Sequence, residues 1–125
     1  MSETRLKIGI TQGDTNGIGW EVILKTFADQ RMAELCTPVI YGSPIAAEYY
    51  RGTIEELENI QFNICQSARE AKRGRVNLVA CGGENLKVEP GKLSQEAGKA
   101  AVEALVKATE ELKAGEIDAV VTAPI

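Results

Sequence analysis

The chain has 125 residues, 44% of them hydrophobic and 26% charged, with a net charge of −4 and no histidine. A domain of this size buries about two thirds of the surface its unfolded chain exposes, so the composition excludes a disordered or fibrous chain. The acidic balance argues against nucleic acid as the main partner, because phosphate contacts need clustered Lys and Arg. The absence of histidine removes the commonest general base and the commonest transition-metal ligand.

In chain order, RLKIGIT (5–11) alternates, with Leu6, Ile8 and Ile10 sharing a face at the period of a strand. The spacing predicts a helix over 18–34 with Ile18, Val22, Ile23 and Phe27 on one stripe. PVIYG (38–42) reads as a second strand. Ser43 then Pro44 starts a helix over 44–58, with Ser as N-cap and Pro at the first helical position, bent near Gly52. FNIC (62–65) and VNLVAC (76–81) read as the third and fourth strands, the latter running into Gly82 and Gly83. After a polar loop over 84–93, Ser94 caps a long helix that Gly115 stops. Its expected apolar stripe is Ala97, Ala101, Leu105, Ala108 and Leu112. DAVVT (118–122) is a continuous β-rich run, as expected of a strand covered on both faces. Alternating strands and helices imply an α/β fold with a largely parallel sheet.

No repeat, linker or low-complexity segment divides residues 1–125, which read as one domain. Thr122, Ala123, Pro124 and Ile125 follow a buried-type strand without the helix that should cover it, so the chain reads as part of a larger protein. No run approaches the roughly 18–20 apolar residues of a membrane span, and the polar, charged opening residues do not read as a signal peptide. Cys36, Cys65 and Cys81 are far apart and form no C-x-x-C pair, the pattern of reduced thiols in a cytoplasmic protein. Cys65 and Cys81 each close an apolar run, which favours a buried structural role. Arg69, Lys72, Arg73 and Arg75 read as a solvated basic face.

The densest functional signal is IGITQGDTNGIG (8–19). Gly13, Gly17 and Gly19 permit positive φ and close backbone approach. The turn delivers N–H groups to the start of the helix near Ile18, where an anion is favoured. Asp14 and Asn16 can cap that helix or bind a substrate hydroxyl or amine, and Asp14 is also a possible ligand for a hard metal ion. The spacing G-x-x-x-G-x-G is neither the dinucleotide fingerprint nor the phosphate loop, and the same residue types serve a plain turn. Thr122, Ala123 and Pro124 stand at a strand's carboxyl end, where open α/β sheets bind ligands, but they also suit a simple turn.

Three stretches taken together resemble one family. ITQGDTNGIGWE resembles the opening T-P-G-D-P-A-G-I-G-P-E run of the 4-hydroxythreonine-4-phosphate dehydrogenases of pyridoxine biosynthesis (the PdxA family). GKLSQEAGKAAVEALVKA and GEIDAVVTAPI resemble that family's next two motifs, in order and at matching spacing. Departures stand at Gln12, Thr15 and Trp20, where the family has proline, and at Asn16, where it has alanine.

The resemblance implies a three-layer α/β/α fold like the isocitrate and isopropylmalate dehydrogenases, within a two-domain homodimeric enzyme more than twice this length. It implies NAD-dependent oxidation of the 3-hydroxyl of 4-phosphooxy-L-threonine, followed by loss of CO2, with a divalent ion (Zn, Mg or Co) as Lewis acid. The metal-binding histidines and most cofactor contacts are implied to lie beyond Ile125. These 125 residues alone are then inactive, with no catalytic or metal-binding residue among them. Within the chain, Gly13, Asp14 and Gly17 are expected to line the cleft and Thr122, Ala123 and Pro124 to form its floor, with Asp14 orienting substrate. Two readings compete with the enzyme fragment: a non-catalytic α/β module binding a phosphorylated metabolite or nucleotide, and a folding or dimerisation half without a site.

Overall fold

A computed structural model of the chain describes residues 6–57, 59–82 and 86–124. Glu58, Gly83, Ile125 and the start of the polar loop at 84–85 lie outside the described residues. The order is β1 (Lys7–Thr11), α1 (Gly19–Phe27), α2 (Gln30–Leu35), β2 (Thr37–Gly42), α3 (Pro44–Thr53), β3 (Phe62–Cys65), β4 (Val76–Ala80), α4 (Gln95–Lys113) and β5 (Ala119–Thr122). Short 3-10 turns cover Glu55–Leu57 and Ala68–Glu70. The five strands form one sheet in the order β3-β4-β2-β1-β5, with every pairing parallel.

The two-residue side-chain period divides the core into two layers. Ile10, Ile40 and Leu78 point to one face, where Trp20, Ile23 and Leu24 of α1 and Ala46, Ala47 and Tyr50 of α3 cover them. Val39, Tyr41 and Val79 point to the other, against Ala104 and Ala108 of α4. The result is the expected α/β/α sandwich, with β2 buried along its whole length. On the α4 face the carboxylate of Glu111 is buried. Its Oε1 accepts from the Tyr41 hydroxyl at 2.7 Å and the Ala68 N–H at 2.8 Å, and Lys107 Nζ lies 3.3 Å from Oε2.

Five expectations change. The helix over 18–34 is two helices, because Asp29 leaves helical geometry and its side chain accepts from Arg31 N–H as an N-cap. The buried stripe of α1 runs through Trp20, Ile23 and Leu24, while Ile18 and Val22 are exposed, since the large indole takes the place facing the sheet. The helix over 44–58 ends at Thr53 and gives way to a 3-10 turn. In α4 the buried stripe is alanine-rich (Ala97, Ala101, Ala104, Ala108) and includes Glu111, with Leu112 exposed. The strand read as covered on both faces is largely exposed, Val121 56%, and among the described residues it stands at the sheet's edge. Its run of β-branched residues carries no information about neighbour order.

Candidate functional site at the carboxyl ends of strands 1 and 5

With all strands parallel, the carboxyl ends of β1, β2 and β5 lie on one edge of the sheet. Thr11 pairs with Tyr41 on one side and Thr122 on the other. Pairing continues past the strands: Ala123 N–H donates to Thr11 O at 3.2 Å, and Asp14 N–H to Pro124 O at 3.0 Å. Gly17 N–H donates to Asp14 O at 2.9 Å. The structure thus brings Gly13, Asp14, Gly17, Thr122, Ala123 and Pro124 into one contiguous patch.

The glycines there have different duties. Gly13 alone among the three has a left-handed backbone, φ 69°. A side chain on it would collide with Pro124 O and come within 2.9 Å of Ala123 O. Gly19 needs space: a Cβ would lie 2.6 Å from Gln12 O and 3.0 Å from Ala123 Cβ. Gly17 has ordinary room, with Asp14 O at 3.4 Å. Of the two freedoms that glycine permits here, positive φ is used only at Gly13 and close approach at Gly13 and Gly19, while Gly17 uses neither.

The two polar residues read as possible caps do not cap α1. Its N-cap is Ile18, with no side-chain hydrogen bond. Asp14 Oδ1 accepts from Asn16 N–H at 2.9 Å, a local turn that fixes the half-buried carboxylate. Asn16 reaches away, to residues 89–94. Its Oδ1 accepts from Glu89 N–H at 2.7 Å, its Nδ2 donates to Lys92 O at 3.1 Å, and its carbonyl accepts from Gly91 N–H at 2.7 Å. The uncapped first turn of α1 favours an anion, although Glu21 already places negative charge there.

Sequence reasoning treated Gln12 only as a departure, and missed its part in the site. Its carboxamide is fully buried. Oε1 accepts from Trp20 Nε1–H at 3.0 Å and Ser43 N–H at 2.9 Å, and Nε2 donates to Ala100 O at 3.2 Å. A buried amide must be satisfied in this way or cost the desolvation of its polar atoms. The available signal was that Gln12 and Trp20 depart together.

A cavity of about 560 Å³ opens beside the turn, lined by Asn16, Gly17, Glu21, Tyr49, Tyr50 and Pro90. Tyr50 closes its inner wall, its hydroxyl donating to Thr15 O at 2.6 Å. An apolar groove of about 550 Å³ runs along the other side of α1, between Ile18, Val22, Ile8, Val121 and Pro124. A larger cavity of about 690 Å³, lined by Phe27, Glu34, Gln61 and Arg75, lies at the amino ends of the strands, away from the edge where parallel sheets bind ligands.

Among the described residues no group of three His, Cys, Asp or Glu side chains is placed to hold a metal ion, so these residues do not fit a metal centre. Cys65 is buried, and burial pushes the Cys81 thiol up to about 12, which suits packing rather than nucleophilic chemistry. Of the basic face, Arg69 Nε pairs with Glu116 at 2.7 Å.

Comparisons with known proteins bear on the family and the fold. Over all of its residues the chain is 53% identical to the 4-hydroxythreonine-4-phosphate dehydrogenase of Bacteroides thetaiotaomicron, of which it covers 34%. It is 32% identical over 127 aligned residues to the D-threonate 4-phosphate dehydrogenase of Cupriavidus necator, covering 38% of that protein. The chain thus spans little more than a third of the length of these relatives. A crystal structure of a 4-hydroxythreonine-4-phosphate dehydrogenase from Burkholderia phymatum superposes with a TM-score of 0.87 at 30% identity, over 98% of this chain and 37% of that one. The corresponding enzyme of Klebsiella pneumoniae, at 23% identity and a TM-score of 0.84, shares the fold. The family model described as pyridoxal phosphate biosynthetic protein PdxA matches residues 34–125, and the chain belongs to that family.

Proposed function

We propose that the polypeptide carrying these residues is a dehydrogenase that oxidises the 3-hydroxyl of 4-phosphooxy-L-threonine, with NAD as hydride acceptor. NAD would supply a two-electron hydride acceptor for the carbinol carbon; with the hydroxyl proton also lost, the product would be a β-keto acid that can release CO2. The observation that carries this reading is the 53% identity across the whole chain to a protein of that name. The patch at the carboxyl ends of β1 and β5 supports it, since that is where a parallel sheet offers its ligand crevice.

In this reading the chain's own residues shape and orient. Gly13 and Gly19 let the turn close on residues 123–124. Asp14, fixed by Asn16 N–H, orients a hydroxyl or ammonium group of the substrate. Thr122, Ala123 and Pro124 form the floor. A divalent metal would act as a Lewis acid toward the hydroxyl, but no step here runs through it because the described residues provide no ligand set. The 125 residues alone are therefore inactive in this reading. In this reading the working form is a homodimer in the cytoplasm. Among the described residues no helix is long and apolar enough to cross a membrane.

The name of the Cupriavidus relative makes D-threonate 4-phosphate the competing substrate. Both compounds are offered to the full-length protein with NAD and a divalent metal, and NADH is followed by absorbance. Reduction with 4-phosphooxy-L-threonine is the expected result. Reduction with D-threonate 4-phosphate alone reassigns the substrate, and none with either overturns the reading.

A further inference from the structure

Asp14 has to hold one geometry if it is to orient a substrate, and glycines on either side of it resist that. What stiffens the turn is the side chain that precedes it. Gln12 lies at the end of β1, with its N–H on Tyr41 O at 3.1 Å. Its buried carboxamide is tied at once to α1 through Trp20, to the start of α3 through Ser43 N–H, and to α4 through Ala100 O. These three elements come from both faces of the sheet. The space for this junction is left by Gly42 at the end of β2. A Cβ there would lie 2.8 Å from Gln12 Oε1 and 2.8 Å from Trp20 Cζ2. Gly42 has no positive φ, and the first atoms a Cβ there would meet are those of the Gln12–Trp20 pair.

We propose that Gln12 is a positioning residue. Its carboxamide, held by Trp20, Ser43 and Ala100 and accommodated by Gly42, fixes the main chain of Gly13 and Asp14 so that the Asp14 carboxylate meets substrate in a single orientation. The inference rests on the reading of Asp14 as a substrate-orienting group. A side chain of similar size without the amide, in Gln12→Leu, releases Trp20 Nε1–H, Ser43 N–H and Ala100 O together. Gln12→Glu keeps an acceptor for Trp20 and Ser43 but cannot donate to Ala100 O while ionised. Gly42→Ala disturbs the same pair from a residue outside the turn.

The test uses full-length protein with wild type, Gln12→Leu, Gln12→Glu and Gly42→Ala side by side. Two readouts are taken: kcat and KM for 4-phosphooxy-L-threonine, and hydrogen–deuterium exchange of the peptide spanning 13–19. Displacing a reacting geometry by about 1 Å costs up to about 100-fold. The expected result is a fall in kcat of about 10- to 100-fold in Gln12→Leu and a smaller one in Gly42→Ala. Gln12→Glu recovers part of the rate, and faster exchange is confined to residues 13–19 while β3 and β4 stay protected. Wild-type kcat in Gln12→Leu, or exchange that rises equally across the sheet, overturns the proposal and leaves Gln12 an ordinary buried residue. If the wild type itself reduces no NAD, the proposed reaction fails separately. Exchange then decides whether the brace exists: faster exchange confined to 13–19 keeps it, and unchanged exchange there removes it.

Discussion

Gly13 and Gly74 both have left-handed backbones, with φ of 69° and 76°, and both reverse the chain at an end of the sheet. Around Gly74, ahead of β4, nothing lies within 4 Å of where a side chain would begin. Around Gly13 the main chain of Ala123 and Pro124 fills that space. Gly74 only turns the chain. Gly13 turns it and lets two loops, far apart in sequence, close against each other. The glycine-rich stretch after β1 therefore reflects packing density at the strand ends more than backbone freedom, and that density fixes where Asp14 stands.

The largest effect sharpens this contrast. Gly13→Ala combines a left-handed penalty with a collision against Pro124 O, and is expected to cost about 2–5 kcal/mol, read as loss of soluble protein or a large fall in Tm. Gly74→Ala carries the backbone penalty alone, about 1–2 kcal/mol by denaturant titration. Equal losses at the two positions would break the comparison.

A third effect comes from pH. Burial pushes the Cys81 thiol from 9.0 up to about 12 and raises the Tyr41 hydroxyl above its usual 10.0, helped by the hydrogen bond to Glu111. The unfolded chain gives up these protons first, so between pH 9 and 12 the folded state binds more protons. Stability is complete below about pH 8 and declines above it, by on the order of 2 kcal/mol at pH 10. Tm measured from pH 8 to 10 is expected to fall, and the fall to be shallower in Cys81→Ala; a slope identical in that variant contradicts the assignment. The smallest effect has the opposite sign. Gly98 lies within α4 with no neighbour within 4 Å of a would-be Cβ, so Gly98→Ala is expected to stabilise by about 0.5–1 kcal/mol.

Local chemistry was legible in the sequence where its partners are local. Ser43 accepts from Ile45 and Ala46 N–H, Ser94 from Ala97 N–H, and Gly115 follows α4 with φ 79°, as their spacing implied. The alternation in β1 marked a strand for the same reason. Features set by distant residues were not legible. That β5 is an edge depends on strand order. The break at Asp29 depends on one side chain capping the next helix in preference to continuing the last. Gln12 meets Ala100, 88 residues later, and Asn16 meets Lys92, 76 residues later, so neither amide announces its partner. The patch at residues 13–17 and 122–124 was found from glycines and strand ends, whereas the amides bracing it were not.

The most direct test of the account is the Asp14→Ala variant of the full-length protein, assayed for NAD reduction with 4-phosphooxy-L-threonine and melted in parallel. The carboxylate is half-buried and accepts one local N–H, so its loss is expected to leave Tm within a few degrees of wild type while turnover falls by about 10-fold or more. Unchanged turnover at unchanged Tm would contradict the central claim and reduce the turn to a structural connection.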